Sequence, residues 1–259
     1  METNRINHLF ENKKAGILSV YFCAGAPQGS HVHETLQALQ NGGIDMVEIG
    51  IPFSDPLADG PVIQQAATEA LRGGMSVKRL MKELAEVRRD IQLPLILMGY
   101  LNPILHYGFE KFCTDCEACG IDGLIVPDLP FEVYEREFRA TAEAHNLHFI
   151  FLVTPETPEE RIRQIDQSTS GFIYAVSSAS VTGAQHDFNA AKQAYFARLE
   201  GMHLRNPFLI GFGISNRATR EAADAHAAGV IVGSKFVTLQ KENATTAQAV
   251  AALKKALSE

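Results

Sequence analysis

The sequence predicts an α/β fold, a closed (β/α)8 TIM barrel with an extra N-terminal helix, on three observations. Short apolar runs rich in Val and Ile recur along the whole chain, each followed by a turn and a stretch of helical periodicity. The runs are near-continuously hydrophobic, as parallel strands buried on both faces are, and eight such units close a sheet. A dinucleotide-binding fingerprint of an open doubly wound sheet is missing. Gly211-Phe-Gly213-Ile-Ser-Asn216 has two of its three glycines and follows the seventh run, not the first.

Taken in order, a polar-start helix over residues 3–11 precedes strand one at 17–22. Its first partner is a helix at 32–40. Strand two, 46–50, is followed by a proline-rich loop and helices at 62–72 and 77–90. Strand three is 94–100, and the stretch 108–120 reads as a helix stopped by Gly120. Strand four, 123–128, leads to a helix at 131–146, and strand five, 148–154, to one at 158–167. Strand six is 172–177, with the helix at 189–200 behind it. Strands seven and eight, 207–213 and 229–233, precede helices at 217–227 and 245–257. Residues 1–259 are read as one barrel domain, a size this fold commonly reaches.

Composition narrows the partners. With 23 basic against 30 acidic side chains among 259 residues the net charge is -7, and no Lys/Arg run offers the footprint that releases counterions from a phosphate backbone. Nucleic acid and anionic membranes are therefore excluded as expected partners. The N-terminal stretch mixes acids and bases without an apolar core, and no run approaches the roughly 20 apolar residues of a membrane span, so a cytoplasmic location is expected. Cys113, Cys116 and Cys119 have a spacing that resembles a metal site, but spacing of three on a helix puts them on one stripe with Phe109 and Phe112. They are read as core thiols, with no metal site, since a fourth ligand is missing. His31, His33 and His186 lack a metal-type arrangement and are read as loop or surface residues.

Barrel chemistry belongs at the carboxyl ends of strands, and two acids stand there. In Met46-Val-Glu-Ile-Gly50, alternation puts Glu48 opposite Val47 and Ile49 and points it into the barrel. None of the eight strands contains Lys or Arg, so no strand offers it a cation. Burial without a partner raises a carboxyl pKa, which suits a group that must both give and take a proton near neutrality. The loop Ile51-Pro-Phe-Ser-Asp-Pro-Leu-Ala-Asp-Gly-Pro61 is stiff and polar. Asp55 and Asp59 could each be turn formers, but a semi-exposed Asp59 near a buried Glu48 makes a pair whose pKa values are pushed apart. Gly-rich turns at Val181-Thr182-Gly183, Gly211–Ser215 and Gly233-Ser234 expose backbone amides where this fold commonly binds phosphate. The long polar connection 178–189 is read as a lid.

These residues resemble, over essentially the whole length, the α subunit family of tryptophan synthase. The most specific stretch is Glu48–Pro61, supported by Val181-Thr-Gly183, Gly211-Phe-Gly-Ile-Ser215 and Gly233-Ser234 in family order. The resemblance implies retro-aldol cleavage of indole-3-glycerol phosphate to indole and glyceraldehyde 3-phosphate, with no cofactor in this subunit. It implies Glu48 as proton shuttle and Asp59 as partner of the indole N–H. Tyr21, Tyr100, Leu124, Tyr174 and Phe212 would enclose the ring. Thr182 would orient the second acid, and Gly183, Gly213, Gly233 and Ser234 would cradle the phosphate. It further implies docking, as an α2β2 assembly, on a β subunit that uses pyridoxal phosphate, with Asp55, Asn102 and Pro103 in the contact region. A second reading is a weakly catalytic barrel that chiefly activates the β subunit, and a third is another phosphate-binding barrel. The chain departs from the family at Cys23, at Ser180, where a side chain restricts positive φ, and at Lys235, which adds a cation near the phosphate or sits on the helix surface.

Overall fold

A computed structural model describes residues 4–177 and 189–259. Nine strands form one parallel sheet: β1 (Ile17–Cys23), β2 (Met46–Gly50), β3 (Leu95–Met98), β4 (Gly123–Ile125), β5 (His148–Phe149), β6 (Leu152–Val153), β7 (Ile173–Val176), β8 (Phe208–Gly211) and β9 (Gly229–Val232). Their spatial order is β5-β4-β3-β2-β1-β9-β8-β7-β6. The two ends of that order are consecutive in the chain. Residues 148–153 pair with β4 at their start and with β7 at their finish, and the Ile150 N–H donates to Leu124 (2.9 Å) while the Tyr174 N–H donates to Phe151 (3.0 Å). The expected fifth strand is thus one segment divided where it changes partner, and through it the eight-unit barrel closes.

Helices cover the sheet: α1 (Arg5–Asn12), α2 (Val32–Asn41), α3 (Pro61–Arg72), α4 (Val77–Leu84), α5 (Leu101–Tyr107), α6 (Phe109–Ala118), α7 (Phe131–Val133), α8 (Arg139–Ala144), α9 (Glu159–Ser168), α10 (Ala190–Gly201), α11 (Arg217–Asp224), α12 (Ser234–Glu242) and α13 (Thr246–Ala256). Several differ from expectation. The helix expected over 77–90 stops at Leu84, and a 3-10 turn at Val87–Arg89 carries the chain on. A π turn at Tyr134–Phe138 interrupts the helix expected over 131–146. Helix α5, seven residues long, was not expected, and α12 was expected only as a helix carrying Lys235, without bounds, because it starts directly after β9 in a stretch read as a phosphate turn.

Helix α1 seals the amino-terminal mouth of the barrel. Asn4 caps it by accepting from the Ile6 N–H, and the Asn4 amide donates to the carbonyls of Asp122 (2.8 Å) and Asn146 (2.9 Å). Ile6 is fully buried, and Phe10 meets Phe172 at 5.8 Å between ring centroids. Below β4, Asp122 takes ion pairs from Arg5 and Arg88 and accepts from the Leu95 N–H. With that end plugged, the open end is the carboxyl one, where β2, β8 and β9 end in or beside glycine.

Candidate active site

Strand register positions the first acid. Glu48 sits level with Tyr21 on β1 and Ile96 on β3, with Val47 and Ile49 fully buried on either side of it. Glu48 is itself fully buried. The Ser19 hydroxyl donates to its Oε1 at 3.1 Å, and its Oε2 has no partner among the described residues. Among the described residues no Lys, Arg or His pairs with it. Burial pushes its pKa up to about 8, with the Ser19 bond pulling the other way.

The second acid is positioned by the loop after β2 and by β3. The loop folds back on itself: the Asp59 N–H donates to Pro56 (3.0 Å), and Gly60-Pro61 starts α3 with proline at the position where a missing N–H costs nothing. Tyr100, just beyond β3, ties the loop down. Its hydroxyl accepts from the Ala58 N–H at 3.0 Å and donates to Asp59 Oδ2 at 2.8 Å, while its ring stacks on Phe53 at 5.3 Å. Asp59 is therefore buried at 4% exposure, not semi-exposed as expected. Among the described residues its Oδ1 has no partner. Burial pushes its pKa up to about 6, and the Tyr100 donation restrains the rise.

Both acids open into one cavity. Tyr21, Tyr174 and Phe212 supply aromatic walls; Ile63, Met98, Ile214 and Ile231 supply aliphatic ones; Gly213, Gly233, Ser234 and Lys235 form the remaining end. Two glycines make room for the phenols. A Cβ on Gly50 at the end of β2 would overlap the Tyr21 hydroxyl, and one on Gly211 at the end of β8 would overlap that of Tyr174. Burial keeps both phenols protonated, well above their ordinary pKa. Helix α12 begins at Ser234, so its first-turn N–H groups and Lys235 stand at the cavity's end, an arrangement suited to an anion.

Of the residues singled out in the sequence, Glu48, Asp59, Tyr21, Tyr174, Phe212, Gly213, Gly233 and Ser234 line this cavity. Tyr100 does not line it but holds Asp59. Leu124 is buried in β4 and is not part of the lining. Thr182, Gly183, Ser180 and His186 lie outside the described residues. Ile63, Met98, Ile214 and Ile231 were missed; they are ordinary aliphatics scattered over separate elements and loops, and nothing in their local sequence sets them apart. Lys235, noted only as a departure, is the cationic side chain in the lining, and among the described residues it forms no ion pair.

Asp55 and Asn102 are exposed and Pro103 is half-buried. Beside them stand the two large apolar side chains that are exposed among the described residues, Leu57 at 84% and Leu105 at 47%. Cys113, Cys116 and Cys119 are buried free thiols, as is Cys23, and burial pushes the Cys23 and Cys113 thiols up to about 12. Among the described residues no group of His, Cys, Asp and Glu could hold a metal ion. His31 is exposed at the start of α2, and His33 pairs with Asp90 at 3.2 Å on the surface. No helix of the described residues is long and apolar enough to cross a membrane.

Comparison with known proteins gives one answer. The family model described as tryptophan synthase alpha chain matches residues 7–259. The chain is 60% identical over 256 residues to the tryptophan synthase alpha chain of Parabacteroides distasonis, covering 99% of this chain and 100% of that one. It is 59% identical over 255 residues to that of Phocaeicola vulgatus, covering 98% and 99%. Among solved structures, tryptophan synthase subunit alpha from Legionella pneumophila superposes with a TM-score of 0.88 at 32% identity, covering 98% of this chain and 97% of that chain. An aminoacrylate-bound tryptophan synthase from M. tuberculosis superposes with a TM-score of 0.82 at 30% identity, over 97% and 100%.

Proposed function

Because the chain belongs to the family of tryptophan synthase alpha chains, we propose that the cavity holding Glu48 and Asp59 is where it splits indole-3-glycerol phosphate. The chain is the α subunit of tryptophan synthase, a carbon–carbon lyase of tryptophan biosynthesis that associates with a β subunit. One observation carries the assignment of the site: two buried carboxyl groups, each with an oxygen that has no partner among the described residues, face one aromatic-walled cavity.

The two pKa values divide the labour. At neutral pH Glu48, near 8, carries a proton, whereas Asp59, near 6, is mostly ionised. Glu48 donates its proton to indole C3, which leaves positive charge on the ring nitrogen. Anionic Asp59 accepts the indole N–H and stabilises that charge. The Glu48 carboxylate then takes the proton of the hydroxyl on the adjacent side-chain carbon. The oxygen's electrons form the aldehyde carbonyl, the bond to C3 breaks, and its electron pair restores the neutral ring. Glu48 ends protonated, ready for the next turnover, so no co-reactant is needed. A low-dielectric cavity strengthens the Asp59 interaction where charge develops.

Tyr21, Tyr174 and Phe212 enclose the indole in this reading. The phosphate lies on the Gly213, Gly233 and Ser234 backbone, and Lys235 adds the positive charge that main-chain donors lack. Thr182 and Gly183 contribute from the segment beyond Ser177, and Leu124 packs behind the wall. Asp55, Asn102 and Pro103, with Leu57 and Leu105 between and beside them, form the surface that meets the β subunit in an α2β2 assembly. Residues 1–259 act as one domain, consistent with a single continuous core, and the enzyme works in the cytoplasm, in keeping with a biosynthetic role. The test is release of indole by the purified chain, with and without β subunit, in the wild type and in Asp59→Asn. We expect Asp59→Asn to lower turnover by at least about a hundredfold, the usual worth of one charge-stabilising group, with circular dichroism unchanged. Turnover within a few-fold of wild type would remove Asp59 from the mechanism.

A further inference from the structure

Among the described residues three side chains other than glycine have positive φ: Asn146, His203 and Phe212. Asn146 and His203 follow helices α8 and α10, where a left-handed residue is an ordinary way to end a helix. Phe212 ends no helix. It follows β8, at φ +67°, and a bulky side chain in that region crowds its own backbone. The next residue, Gly213, is also left-handed, at φ +79°. Both line the cavity.

Ser177 holds this turn from the neighbouring strand. It is fully buried, directly after β7, and its hydroxyl donates to the Phe212 carbonyl at 2.7 Å while its N–H donates to the Gly211 carbonyl at 3.0 Å. Two bonds from one residue therefore bracket the turn. The N–H bond continues the β7–β8 ladder and any residue other than proline could make it. The hydroxyl bond needs serine or its like. The ring of Phe212 stands edge-on to Tyr174, with centroids 6.1 Å apart and planes at 76°.

We propose that Ser177 is a positioning residue: its hydroxyl keeps Phe212 left-handed, which sets the ring as a wall of the indole end and turns Gly213 to the phosphate end. This rests on the lyase reading of the cavity. Without the hydroxyl the turn loses a bond of about the same worth as the left-handed penalty it offsets, and relaxation of Phe212 swings the ring out of the wall. A serine that merely satisfied a carbonyl would affect stability and leave ligand affinity alone.

The chain has no Trp, so the fluorescence of added indole reports binding directly. The experiment titrates indole into wild type, Ser177→Ala, Ser177→Cys, Phe212→Gly and the double variant Ser177→Ala/Phe212→Gly, and measures KM and kcat for indole-3-glycerol phosphate on each. Ser177→Ala is expected to weaken indole binding and raise KM by about tenfold, equivalent to about 1.4 kcal/mol, with kcat within about twofold. Ser177→Cys, with a weak thiol donor, is expected to fall in between. In Phe212→Gly the turn needs no help and there is no ring to place, so adding Ser177→Ala changes affinity by less than about twofold. Wild-type indole affinity in both Ser177 variants overturns the proposal. So does an equal loss on removing the hydroxyl whether position 212 carries phenylalanine or glycine. A wild-type chain that binds indole but releases none from the substrate defeats the lyase reading instead, and the indole titrations still decide the role of Ser177.

Discussion

Replacing Glu48 by Gln is expected to abolish turnover and, at alkaline pH, to stabilise the fold. In the native state Glu48 stays protonated to about pH 8, against 4.5 in its ordinary setting, because ionising it means placing charge in a buried site that, among the described residues, offers one hydrogen bond and no cation. Between pH 4.5 and 8 the folded chain therefore binds more protons than the unfolded one, and raising the pH across that window favours unfolding. Below 4.5 the acid costs nothing through ionisation, and above 8 the full cost stands. Each pH step in the window is worth about a factor of ten in the folding equilibrium, so the upper limit is on the order of 5 kcal/mol. Glutamine removes this dependence but leaves an amide N–H2 where Oε2 has no partner among the described residues, a constant cost of about 1–3 kcal/mol. The variant should thus be less stable than wild type at about pH 5 and more stable at about pH 8.5. Urea unfolding followed by circular dichroism at about pH 5, 6.5 and 8.5 reads the difference, in which all other titrations cancel. Parallel pH curves for the two proteins would show that Glu48 does not titrate as a buried acid, and the division of roles between the two carboxyls would fall with it.

Two further substitutions probe the rest of the cavity. In Tyr100→Phe, Asp59 loses the donation that restrains its pKa; the acid limb of kcat/KM should move to higher pH, with turnover several-fold below wild type at about pH 7 and the deficit against wild type at the same pH largely gone by about pH 8.5, where ionisation of Glu48 lowers both proteins alike. An unmoved limb would mean that Tyr100 only braces the loop. Lys235→Gln should raise KM for the phosphate-bearing substrate by about three- to tenfold, leave kcat within about twofold, and flatten the dependence of KM on salt, since an exposed or half-buried cation acts through a screened field. A KM unchanged at low salt would put Lys235 on the helix surface.

How far this site was readable before folding differs residue by residue. Glu48 was legible because strand alternation is local: a single short strand suffices to say that its face differs from that of Val47 and Ile49. Its lack of a cation was legible too, since no strand carries one. Asp59 was legible as a candidate but not in its environment, because the group that buries and tunes it, Tyr100, lies 41 positions along the chain. Gly211 was read as part of a phosphate turn and Gly50 was not singled out, yet both make room for tyrosines of the neighbouring strands, and only the pairing of β2 and β8 with those strands brings the rings overhead. Helix α5 and the bounds of α12 escaped for a similar reason. Helix α5 packs on α4 and α6, and α12 on β1, α3 and α13, so each is held by elements distant in sequence or by neighbouring helices.

The amino-acid order by itself determined the repeated strand-and-helix units, the face on which each strand residue sits, and the presence of an acid without a neighbouring base. Those follow from periodicities of about two and 3.6 residues and from a count of charges. Only the tertiary structure decided which carboxyl oxygens lack partners among the described residues, how far burial raises each acid against the restraint of Ser19 or Tyr100, and which distant turns meet around one cavity. Desolvation and hydrogen bonding are sums over neighbours in space, and a closed barrel takes those neighbours from all along the chain.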